Sequence, residues 1–170
     1  MTAAATGLVG IAFDGFNQAR VRLTRTIEET TNLYTVTVPT METAYWARAL
    51  DEQLVKADPA YRAARQQPEG TVIRGLQWLR NRTTHALPLT LRAVGGLSAP
   101  ITGPITLQPL SIIWHHADQL PPEEPNHTSP AGRSAYNTAF AHKPLLGPLD
   151  DVAQWFAAER SRAGSALTEM

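Results

Sequence analysis

Cysteine is absent from all 170 residues. That removes disulfide staples, a thiolate nucleophile and every zinc–cysteine site, and it predicts a reducing, cytoplasmic setting. Net charge is lacking as well, because 15 Lys+Arg cancel 15 Asp+Glu. A protein that coats nucleic acid indiscriminately carries excess base, so any nucleic-acid work here must rest on a local patch. Long apolar runs are missing too. Residues 1–13 are mildly apolar without a basic leader, which predicts neither a signal peptide nor a membrane span. No later run is long enough to cross a bilayer. What is present is a 43% hydrophobic composition with 18% charge. That suffices for one globular domain with its own core and excludes disorder of the whole chain.

Proline is scarce at first and crowded later: ten of 13 fall between Pro88 and Pro148. Those between Pro88 and Pro130 forbid a long helix there. The expected fold is therefore mainly α: a helical core over about 8–87, an extended and partly β insert over about 88–132, and closing helices over about 133–163. Val9, Ala12, Phe13, Phe16, Leu23 and Ile27 keep helical spacing and predict a first helix over about 8–33. The β-branched run Tyr34-Thr-Val-Thr-Val38 reads as a connector ending at Pro39, with Thr40 capping a second helix. Asp58-Pro59 is a cap followed by an N1 proline and opens a third. After Pro68-Glu69-Gly70, a fourth helix runs over about 71–87, with Leu76, Leu79 and Leu87 inward, until Pro88 stops it. Residues 105–114 predict short strands, edge-like because of Pro109, and Gly95-Gly96 predicts a turn. Trp46, Trp78, Trp114 and Trp155 are read as core or interface, not base-stacking platforms.

Chemistry concentrates in Arg80-Asn81-Arg82-Thr83-Thr84-His85, inside the fourth helix. Residues four apart lie about 400° around a helix, so Asn81 and His85 share a face one turn apart. An amide so placed orients an imidazole that titrates near neutrality. Arg80 is about 140° from His85 in azimuth, and only its length lets it lean toward the ring. Histidine moves protons at the attacking and leaving oxygens while arginine stabilises charge on phosphorus oxygens, so these are the parts of metal-free phosphodiester cleavage. From Gly70 to Ala117 there is no acidic residue, and Arg74, Arg80, Arg82 and Arg92 all fall in that stretch. Arg74, Arg82 and Arg92 are accordingly candidate RNA contacts. A chance Arg-Asn-x-x-x-His in a chain of this composition has a probability of roughly 1%. The plainer reading makes Arg80 and Arg82 a solvated face and His85 a complement to the helix dipole. His115-His116, with Asp118 and His127, come nearest to a metal site. Adjacent residues on a strand point to opposite faces, so loop histidines are expected instead, with no metal and no cofactor.

Arg80-Asn81-x-x-x-His85 on a bundle helix resembles the signature of HEPN-domain ribonucleases. The longer run from Ile73 to His85, followed by Trp114 to Pro122 and Tyr136 to Phe156, is similar to HEPN-like proteins of actinobacteria. The first likeness covers about residues 1–90 and the second, looser one most of the chain. The resemblance implies a HEPN-like helical bundle and a metal-independent endoribonuclease of defence or stress response. In that chemistry the 2′-OH of RNA attacks the adjacent phosphate and leaves a 2′,3′-cyclic phosphate. It also implies a homodimer that brings two copies of the motif helix to one cleft. His85 is then general acid/base, Arg80 the transition-state cation and Asn81 the orienting amide. Toxin–antitoxin relatives imply an inhibitory or sensor protein as a further partner. Leu87 stands where some of them carry a modified tyrosine, so that form of control is not implied. The alternative is a non-catalytic HEPN-like module that binds RNA or protein through the same strip.

Overall fold

The computed structural model describes the backbone of residues 3–85, 90–98, 106–123 and 128–168, and the side chains of 7–82, 90–95, 110–123 and 128–168. Helix α1 spans Ala3–Glu29 and α2 spans Leu33–Ala57, and the two pair antiparallel across a three-residue turn. The start of α2 differs from the sequence expectation. Asn32 is its cap, accepting from the N–H groups of Tyr34 (2.9 Å) and Thr35 (3.2 Å). Tyr34 to Val38 is thus helical, and Pro39 lies inside the helix, a position that ordinarily costs about 3 kcal/mol. Burial outweighs local propensity here. Val36, Thr40 and Thr43 are fully buried, and burying the apolar Val36 side chain alone stabilises by roughly 1.5–3 kcal/mol against a few tenths for β-branching. Thr40 therefore caps nothing; its hydroxyl turns back to the Val36 carbonyl at 2.7 Å.

Asp58 caps α3 (Pro59–Ala64), as the Asp-Pro pair predicts, accepting from Ala60 and Tyr61 N–H. A 3₁₀ turn at Pro68–Gly70 leads into α4 (Thr71–His85). Leu87 and Pro88, expected to end that helix, lie outside the described residues. Strands β1 (Leu91–Ser98) and β2 (Thr106–Trp114) form an antiparallel pair, registered Leu91 to Trp114 and Ser98 to Thr106. Gly95-Gly96 belongs to β1 and is not a turn. The register shifts between Val94 and Gly96, and Gly95 takes φ +94°, a backbone state that suits glycine at a bulge. Pro109 falls on the bulged stretch of β2, where no regular ladder donor is required. Residues 142–145 line the other edge of β2 through His142 N–H to Trp114 O (2.9 Å) and Leu145 N–H to Ile112 O (2.9 Å).

Two further helices, α5 (Pro130–Ala139) and α6 (Leu146–Ser161), complete a mainly helical domain. Its core joins Phe16 to Phe156 (5.4 Å, edge to face), Trp114 to Phe140 (5.3 Å) and Trp78 to Tyr136 (4.7 Å between ring centres). Trp78 and Trp114 are buried, and Trp46 and Trp155 pack partly buried against the same core. No helix among the described residues is long and apolar enough to cross a membrane.

Candidate functional site

Helix α4 is amphipathic in the manner its spacing predicts. Ile73, Leu76 and Leu79 are fully buried, and Gly75 lets α5 approach so closely that an added Cβ would meet Ala135 O and Tyr136 Cα at 3.0 Å. On the last two turns, Arg80 is half-buried, Asn81 exposed, and His85 is the final helical residue. Asn81 and His85 are separated by one turn, about 6 Å of axial rise. The His85 side chain lies outside the described ones. Asn81 stands on the rim of a cleft of about 430 Å³ enclosed by the α3–α4 junction, α4 and the first turn of α5.

Arg74, Arg82 and Arg92 do not form the free basic patch that the sequence suggests. Arg74 donates to the Arg65 and Gln67 carbonyls (2.6 and 2.9 Å) and to Thr71 Oγ1 (3.0 Å), tying the end of α3 to the start of α4. Arg82 is buried at 8% exposure and donates to the Pro121 and Pro122 carbonyls while lying over the Trp78 ring at 5.9 Å. Arg92 faces His142, with Nη2 3.5 Å from Nδ1. For Arg74 and Arg82 the physical reason is shared: backbone carbonyls at helix ends and in loops lie beside them, and a nearby guanidinium satisfies these better than water reached through a packed surface.

Arg65 is the cleft cation that sequence reasoning missed. Its Nε lies 3.2 Å from Oδ1 of Asp51, a fully buried carboxylate, and Nη2 donates to Gln77 Oε1. Asp51 also accepts from Arg48 (2.5 Å) and from the Tyr61 hydroxyl (2.9 Å), which in turn accepts from Trp155 Nε1 (3.3 Å). Burial pushes Asp51 above the usual carboxylate range despite the opposing pull of Arg65, Arg48 and Tyr61. Burial, with Asp51 beside it, also raises the Tyr61 phenol far out of the physiological range. This network positions the Arg65 guanidinium in the cleft lining. The only signal for it in the sequence was an acid and an arginine on consecutive helices.

The opposite wall is α5. Ser129 caps it, Oγ accepting from Gly132 N–H (3.2 Å), and Glu123 straps it to α4 by accepting from Trp78 Nε1 (3.1 Å) and Ser129 N–H (3.0 Å). No carboxylate appears among the described residues lining the cleft. No protein-family model matches this chain, and no curated protein or solved structure does either.

The remaining histidines lie elsewhere. His116 caps the 3₁₀ turn Ala117–Gln119, with Nδ1 accepting from Asp118 N–H (3.2 Å), and stacks on His142 at 5.7 Å. His115 Nδ1 lies 3.2 Å from Gln119 Oε1. His127 is outside the described residues. Among those that are described, no three His, Asp or Glu side chains converge as metal ligands would.

Proposed function

We propose that this protein is a metal-independent endoribonuclease of HEPN type, in which α4 supplies the reacting groups. One observation carries the reading. The motif amide Asn81 borders a cleft with no carboxylate among its described lining residues, on the same helical strip that ends in His85. His85 takes the proton from the attacking 2′-OH and returns one to the leaving 5′ oxygen. Arg80 stabilises the charge that develops on the phosphoryl oxygens, and Asn81 orients the imidazole. Two copies of α4 facing each other across a two-fold axis place both histidines and both arginines at one scissile phosphate. An antitoxin-like or sensor protein is the regulator this class of activity calls for.

The test is cleavage of single-stranded RNA in EDTA. Wild type leaves 2′,3′-cyclic phosphate ends, and His85→Ala lowers the rate at least 100-fold, the low end of a general acid–base contribution of about 10²–10⁴, with an unchanged melting curve. Activity that survives His85→Ala, or appears only with divalent metal, rejects the reading.

A further inference from the structure

We propose that the cleft beside Asn81 seats one nucleotide of the RNA strand next to the cut, its phosphate on the side lined by Arg65, Arg74 and Ala131 and its base edge toward Gln66, Gln77 and Asn81. The seat rests on the ribonuclease reading for its place in the reaction, but its chemistry stands on the cleft itself. A volume of about 430 Å³ falls within the roughly 300–1,000 Å³ of small-molecule sites. Three guanidiniums and three side-chain amides border it. Arg74 and Arg82 give hydrogen bonds to carbonyls, yet their charges have no carboxylate within the described lining, and Arg82 retains a buried Nε without a partner. Arg65 is held in place by Asp51 and Gln77. Asp51 offsets the Arg65 charge and Glu123 sits at the α5 edge, but Arg74 and Arg82 leave positive charge in excess in a partly desolvated site, which favours an anion.

The amides make the ligand more than a bare anion. Gln66 and Asn81 present donor and acceptor atoms and Gln77, whose oxygen accepts from Arg65, presents its N–H donors, together the complement of a base edge. Trp78 does not offer a stacking face, because Tyr136 (4.7 Å) and Arg82 (5.9 Å) occupy its ring. Recognition by edge and not by stacking discriminates between bases, so the seat predicts a nucleotide preference beside the cleaved bond.

Ala131 provides the test. It is exposed, lines the cleft and is the second residue of α5. A carboxylate in a helix's first turn suits the dipole, so Ala131→Glu keeps the fold while repelling phosphate. Calorimetric titration in EDTA compares the four 5′-ribonucleoside monophosphates with orthophosphate. The expected result is one mononucleotide site per chain, with orthophosphate about tenfold weaker. Ala131→Glu is expected to weaken the mononucleotide about tenfold and Ala131→Lys to retain it. A non-cleavable 2′-O-methyl oligoribonucleotide displaces the mononucleotide, and Ala131→Glu raises KM for RNA with little change in kcat.

Equal affinity of wild type and Ala131→Glu overturns the seat, as does orthophosphate binding as tightly as every mononucleotide. Failure of the oligonucleotide to compete assigns the cleft to a free nucleotide and overturns it too. RNA cutting that is indifferent to Ala131→Glu removes the seat and leaves the nuclease. Nucleotide and oligonucleotide binding lost in Ala131→Glu, in a protein that never cuts RNA, keeps the seat and removes the nuclease.

Discussion

Asp58 joins two distant parts of the chain through one carboxylate: Oδ1 accepts from the first turn of α3 while Oδ2 pairs with Arg162, 104 residues away. Burial alone would raise its pKa, but the Tyr61 N–H, the Arg162 guanidinium and the Ala60 N–H together hold it below the usual carboxylate value. The folded state therefore favours the ionised form. Its contribution is present above the unfolded pKa, about 3.9, and is lost as pH falls through the lower folded value. Asp58→Ala should cost about 1–3 kcal/mol at pH 7 by urea denaturation, with the gap to wild type narrowing below pH 4. A gap constant across that range would refute the assignment. Asp51 has the opposite sign. Its raised pKa makes its contribution largest below the ordinary carboxylate range and diminishing as pH rises through the folded value. Asp58 was readable beforehand because a cap and an N1 proline are local signals. The destinations of Arg65, Arg74, Arg82 and Arg92 were not, since a guanidinium on six or seven bonds reports nothing of its partner until the fold is closed.

Helices α4 and α5 touch through Gly75, and their spacing sets the width of the cleft. Gly75→Ala places a Cβ against α5 backbone, which has no flexible end to yield. A loss of about 1–3 kcal/mol is expected in spite of alanine's better helix propensity, together with weaker nucleotide binding. An unchanged or higher melting temperature would mean that α5 moves away freely. The 3.6-residue pattern marked all the longer helices, and α6 and the start of α4 lie close to their expected positions, whereas α1 begins and ends four to five residues earlier than expected because Leu33 already belongs to α2. It failed at the start of α2 because Asn32 and the burial of Val36 against α1 override a β-branched run ending in proline. It missed β1 because Gly95 and Gly96 look like punctuation in isolation. Pairing with β2 turns them into a bulge.

For the whole molecule, zero formal charge leaves no general repulsion between copies, and the proposed reaction requires two. Sedimentation equilibrium at micromolar protein should give roughly twice the 18.6 kDa of one chain. Mixing wild type with excess His85→Ala should depress activity beyond simple dilution, because heterodimers lose one of two histidines. A strictly monomeric, active protein would exclude the shared-cleft arrangement. The absence of carboxylates from Gly70 to Ala117 was a genuine sequence-level sign of a positive region, yet most of that charge serves the fold. What persists at the cleft is the part that packing holds there.

Sequence alone determined the helical character, the proline-rich interruption, the Asp58 cap and the placement of Arg80, Asn81 and His85 on one helix. Each follows from interactions within about one turn of chain, where spacing and geometry are the same thing. Tertiary structure decided which arginines are available, how the strands pair and that a cleft exists beside Asn81. Those outcomes depend on contacts such as Arg82 to Pro121 and Trp78 to Glu123, 39 and 45 residues apart. Such contacts form only once the apolar core has offset the entropy of closing the intervening chain.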